Sequence, residues 1–188
     1  FALTSTLGIG YPFLALKGGA RSVIKFSGSG PAIYSDGLST SAMVYGLRIE
    51  NLKIHGNASA TYGVVLNNSS HAYVSNVSVK DVTTGAVHLD VVFGSHLRNV
   101  RCSTNEDVFT TIPTDGIVLT SANGNHIDTC VVEGLTAGAG VKGVSGSANK
   151  VTNGVYEGNK YGVYLTSNCD SWTLDTPYFE LNSTASVY

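Results

Sequence analysis

The chain has 188 residues, 43% of them apolar and 13% charged, with a net charge of −2. That balance is too apolar for a disordered segment and too neutral for a nucleic-acid-binding surface. No apolar run approaches the ~18 residues of a membrane span, and the 22 glycines follow no Gly-X-Y period, so they imply many turns rather than collagen.

Residues 1–40 are the least regular part. Phe13-Leu14-Ala15-Leu16, Val23-Ile24-Lys25-Phe26 and Ala32-Ile33-Tyr34 read as short strands between glycine-rich turns, forming one or two opening coils. From residue 41 onward one six-residue phrase recurs. It runs Ile49-Glu50-Asn51-Leu52-Lys53-Ile54, Val74-Ser75-Asn76-Val77-Ser78-Val79 and Leu97-Arg98-Asn99-Val100-Arg101-Cys102. Three further copies begin at Ile127, Val151 and Leu174. The third position falls at 51, 76, 99, 129, 153 and 176, at intervals of 25, 23, 30, 24 and 23. A period of this size marks a solenoid.

Apolar residues flank a polar Asn or Thr and then alternate again, as two short strands would if they met at a tight bend. Asn tolerates the left-handed backbone of such a bend. Stacked on its copies, it can also pass amide hydrogen bonds along a ladder, which Thr129 and Thr176 interrupt. A second phrase, entered through a glycine, precedes each later copy: Gly63-Val64-Val65-Leu66, Gly85-Ala86-Val87, Gly116-Ile117-Val118-Leu119, Gly140-Val141 and Gly162-Val163-Tyr164-Leu165. Three short strands and three bends in roughly 23 residues make one turn of a parallel β-helix. No sustained 3.6-residue period supports helices. The expectation is an all-β solenoid of six to seven coils: opening coils over 1–40, then regular coils over 41–188 in one continuous domain. The pattern starts at Phe1 and stops at Val187-Tyr188 in mid-phrase, so the sequence reads as part of a longer chain.

Cys102 and Cys130 fall on apolar positions and, with Cys169, lack metal-ligand spacing; they read as buried thiols. The five histidines are scattered over different coil positions, so no metal or other cofactor is predicted. One coil is long, with its extra residues in the stretch 103–114, which carries Glu106, Asp107, Phe109 and Pro113. Repeat proteins place insertions in loops, often on the binding face.

The outward row of the glycine-initiated strands would hold Val65 and Asn67, His88 and Asp90, Val118 and Thr120, Lys142, then Tyr164 and Thr166. Asp115 sits where the long loop enters this row. Asp90, Glu106, Asp107 and Asp115 are therefore the candidate catalytic carboxylates, and His88, Lys142, Tyr164 and Phe109 the candidate substrate-binding residues. Glycoside hydrolysis needs one carboxyl to protonate the leaving oxygen and another to activate water or attack. A lyase would instead need a base and a cation beside a uronate, for which Lys142 is a candidate. A structural reading stands beside these: Asp115-Gly116 is an ordinary turn pair, and Glu106-Asp107 a solvated loop tip.

With this repeat, the chain resembles the right-handed parallel β-helix of the pectate-lyase-like superfamily over about residues 20–188. Within it, the segment Ser22–Ile33 is similar to the first coil of phage tailspike and related depolymerase domains, and Tyr178-Phe179-Glu180-Leu181-Asn182 resembles a phrase of their late coils. The resemblance implies a homotrimer on a virion tail, or an extracellular protein, that binds and often cleaves a bacterial surface polysaccharide. Thr114-Asp115-Gly116-Ile117 is similar to a polygalacturonase segment and carries over only Asp115 as that family's acid. Pro113 stands where that family has Asn, and no Asp-Asp pair follows in the next coil, which argues against a pectinase. The rivals are a non-catalytic stalk or adhesin and a secreted uronate lyase or epimerase.

Overall fold

The structure, a computed structural model, describes residues 1–19, 21–37 and 41–188. Positions 20 and 38–40 of the expected opening coils lie outside the described residues. Among the described residues, two long parallel sheets form the solenoid, with a two-stranded parallel one of Gly146–Ser147 and Cys169–Asp170 beside them. The first runs through Ala2–Leu3, Val23–Phe26, Arg48–His55, Tyr73–Lys80, His96–Ser103, His126–Asp128, Lys150–Thr152 and Thr173–Asp175. The second runs through Leu7–Ile9, Ile33–Asp36, Tyr62–Ser70, Gly85–Phe93, Asp115–Thr120, Ala139–Gly143, Tyr161–Leu165 and Ala185–Val187.

Eight strands along each path make eight coils among the described residues, where six to seven were expected. The difference lies in the opening turn, whose strands Ala2–Leu3 and Leu7–Ile9 are too short to show any periodicity. At about 4.8 Å per step the stack is roughly 34 Å long. Strands Tyr62–Ser70 and Gly85–Phe93 also pass a second bend, at Asn68 (φ 45°) and Val91 (φ 54°), which adds a short fourth segment to the coil.

The repeated phrase folds as its chemistry demands. Asn51, Asn76, Asn99, Thr129, Asn153 and Thr176 all have positive φ, between 49° and 58°. Asn76 Nδ2 donates to Asn51 Oδ1, and Asn99 Nδ2 to Asn76 Oδ1, each at 2.9 Å. At Thr129 the ladder detours: Asn153 donates to Asp128 Oδ1 at 3.0 Å instead.

Inside, Ile49, Val74, Leu97, Ile127 and Val151 stack in register and face Leu66, Leu89 and Leu119; all are buried. Each such side chain contributes about 1.5–3 kcal/mol relative to exposure. Cys102 and Cys130 lie in this core, where burial pushes both thiols up to about 12. Buried Asn125 and Asn149 satisfy the core's third bend, their Nδ2 groups donating to the Val92 and Ala122 carbonyls at 2.9 and 2.7 Å.

The phrase glycines do a different job from the turn role read in the sequence. Gly63 and Gly116 do not have positive φ. A Cβ at Gly116 would stand 2.4 Å from Val132 Cγ1, and one at Gly63 2.5 Å from Val79 Cγ1. Glycine is required because the two sheets close on each other at this corner.

Candidate functional site

The outward row of the second sheet forms as a registered column. Tyr34 lies beside Val65, Val65 beside His88, His88 beside Val118, Val118 beside Lys142 and Lys142 beside Tyr164. Two residues further along, Asp36, Asn67, Asp90 and Thr120 form a parallel polar column.

At the upper end of this face lies a groove of about 520 Å³, lined by Asp115, Lys142, Lys160, Tyr161, Tyr164 and Thr166 among others. Asp115 is buried at its lip. Its Oδ1 accepts the Ala139 amide at 2.9 Å, and its Oδ2 pairs with Lys142 Nζ at 2.9 Å. Tyr161, Tyr164 and Tyr188 cluster with ring centroids 5.0 to 5.5 Å apart, Tyr164 and Tyr188 stacked with ring planes nearly parallel, at 2°. The Lys160 ammonium lies 5.4 Å from the Tyr161 ring centroid. Such a surface offers aromatic faces to the apolar faces of sugar rings and charged groups to their hydroxyls or carboxylates.

Of the eight sequence candidates, Asp115, Lys142 and Tyr164 come together here. His88 lies on the same face two coils below Lys142, stacked on Tyr62 at 5.1 Å and sharing a hydrogen bond with the Thr120 hydroxyl at 3.0 Å. Burial pulls its imidazole below the ordinary value and so favours the neutral ring, against the opposing pull of Asp90. Asp90 sits well along its strand, just before the Val91 bend. Gly85 is the partner of Asp115, and Asp90 is five residues beyond it, roughly 16 Å along the sheet.

The long loop does not overhang this row. It folds back over the first sheet: Glu106 pairs with Arg101, and Asp107 lies 3.9 Å from Lys80. Asp81 moors it, with Oδ1 accepting the Thr110 amide at 2.6 Å, the Thr110 hydroxyl at 2.9 Å and the Thr111 amide at 3.1 Å. Burial pushes the Asp81 carboxyl up, but these bonds outweigh it and hold it below its ordinary value. Phe109 packs against the core rather than facing solvent in a groove.

Sequence reasoning passed over Lys160, Tyr161 and Tyr188. One signal was available: Tyr161 immediately precedes the phrase glycine Gly162, as Tyr62 precedes Gly63. It also passed over three glutamates at one repeat position, Glu133, Glu157 and Glu180, which lie in register on the first sheet.

A family model for the right-handed β-helix region matches residues 22–187. This chain belongs to that family. A search of curated proteins finds no match. Membership sets the hand of the solenoid and fits a carbohydrate-active or structural β-helix. Among the described residues of this right-handed β-helix, no helix is long and apolar enough to cross a membrane. No His, Cys, Asp and Glu group there is arranged to hold a metal ion.

Proposed function

We propose that this right-handed β-helix binds a polysaccharide along the outer face of its second sheet, with the Tyr161–Tyr164–Tyr188 cluster as the stacking platform and Lys142 as the polar anchor. The observation that carries the reading is the groove of about 520 Å³ in which Tyr161 and Tyr164 meet the Asp115–Lys142 pair, with Tyr188 stacked on Tyr164. The tailspike resemblance supplies the setting: an extracellular or virion-borne protein acting on a bacterial surface glycan. The homotrimer that the resemblance implies is not part of this reading: it is the rival of the two-fold pairing argued below, and the sedimentation experiment there separates the two.

Binding is the core of the reading, rather than cleavage. Paired catalytic carboxyls stand about 5–9.5 Å apart in glycosidases. Of the four candidate carboxylates, only Asp115 lines the groove, and its oxygens are engaged by Lys142 and Ala139. A lyase reading draws on the same pair, since a cation and a carboxylate face one another at 2.9 Å.

Affinity electrophoresis against a panel of purified bacterial envelope polysaccharides tests the proposal. Retardation by at least one glycan is expected, weakened about tenfold in Tyr164→Ala, as removal of one ring platform worth ~1.4 kcal/mol implies. Equal retardation of wild type and Tyr164→Ala would remove the groove from the reading. Release of reducing ends, or of unsaturated uronates, would convert binding into hydrolysis or elimination.

A further inference from the structure

Beyond the Asn bend, the first sheet presents two outward columns with a lengthwise charge asymmetry. One column runs Val23, Lys53, Ser78, Arg101, Val131, Val155, Tyr178. The other runs Lys25, His55, Lys80, and then Ser103, Glu133, Glu157, Glu180, with Ser103 beside Lys80 by continuation of the same register. The lower coils of this face are basic, and the upper coils are apolar and acidic.

The charged groups in the middle of the face already have partners from within. Glu106 takes Arg101, Asp107 takes Lys80, and Ser103 donates to Glu133. Those at the two ends differ. Among the described residues, Lys25 and Lys53 are exposed with no side-chain partner, and Glu157 has none. Glu180 receives the Tyr178 hydroxyl of its own strand and, among the described residues, no cation. Near the middle, the loop lies on the face itself, with Lys80 Nζ donating to the Val108 carbonyl at 3.2 Å, and exposes Val108 (84%) and Ile112 (51%).

We infer that this face pairs with the same face of a second copy of the chain, antiparallel, about a two-fold axis at the coil of Arg101 and Ser103. Counting from Ala2–Leu3 as the first coil, Lys25 is in the second, Lys53 in the third, Glu157 in the seventh and Glu180 in the eighth. A two-fold axis at the fifth coil brings the second onto the eighth and the third onto the seventh. Lys25 then meets Glu180 and Lys53 meets Glu157, twice over, as an isologous contact requires. The lysine stems cover Val155 and Tyr178 while their ammonium groups reach the carboxylates. A parallel arrangement of the same faces would set lysine against lysine and glutamate against glutamate, and like charges so placed oppose association.

Sedimentation equilibrium tests this on wild type and on two charge-reversed forms, Lys25→Glu/Lys53→Glu and Glu157→Lys/Glu180→Lys, with circular dichroism as the check on folding. Wild type is expected as a dimer whose dissociation constant rises at least tenfold between about 0.05 M and about 0.5 M salt, because these rim charges are screened. Each reversed form is expected to be monomeric, and their equimolar mixture to be a heterodimer, since an all-acidic face then meets an all-basic one. If a reversed form fails to fold, Lys25→Gln/Lys53→Gln is expected to weaken the dimer in its place. A wild-type monomer, a trimer, a dimer indifferent to these changes, or a mixture of folded reversed forms that stays monomeric would each overturn the inference.

Discussion

Lys142 Nζ lies 2.9 Å from Asp115 Oδ2, while Asp115 Oδ1 holds the Ala139 amide of the next coil at 2.9 Å. One carboxylate thus fastens two successive coils and sets the charge of the groove. Asp115→Asn can keep the amide bond through its remaining oxygen and frees the ammonium. Stability is expected to change by about 1 kcal/mol or less, with tighter retention by uronate-containing glycans. Asp115→Ala strands a buried amide and is expected to cost about 1–3 kcal/mol, measured by urea denaturation.

The ladder makes a prediction of the opposite sign. Thr129 is β-branched yet sits at φ 51°, between Asn99 and Asn153. Thr129→Asn fits that backbone better and can reconnect the amide chain. A gain of about 1 kcal/mol in unfolding free energy is expected, against a loss of about 1–2 kcal/mol for Asn76→Ala.

At the sheet corner, Gly116→Ala is expected to destabilise by about 2–3 kcal/mol, because its Cβ meets Val132 Cγ1 and, at 2.5 Å, the Gly140 carbonyl. Gly8→Ala, with nothing within 4 Å, is the matched control and should leave the denaturation midpoint nearly unmoved.

Acid should loosen the long loop. The Asp81 carboxyl is held below its ordinary 3.8, so the stability it supplies is complete above that value and is lost as pH falls through the lower folded one. Proteolysis within residues 103–114 by an acid-active protease should rise as pH drops below about 4. In Asp81→Asn the step should disappear.

Histidines set a second, milder window. Burial chiefly lowers His55, His88 and His96, the last also under the positive fields of His126 and Arg98 and against Asp128. The unfolded chain therefore takes up protons first as pH falls below 6.5, and stability is lost from there down to the lower folded values. The melting temperature should fall from pH 7 to pH 5, and less steeply in His96→Gln.

The solenoid is legible in the residues alone. A bend residue that must tolerate left-handed backbone, flanked by alternating apolar positions and repeated every coil, admits few other folds, and each Asn or Thr of the phrase adopts the bend it implies. Register then carried Lys142 and Tyr164 onto one column, because parallel strands in a fixed period place equal phrase positions side by side. The path of the irregular part depends on long-range contacts. Nothing in residues 103–114 shows that Asp81 will catch Thr110 and Thr111, so Glu106 and Asp107 went to Arg101 and Lys80 instead of to Asp115. Periodic contacts are local in the repeat and can be read along the chain. The course of this insertion is set by hydrogen bonds to a residue about 30 positions away, for which the repeat carries no rule.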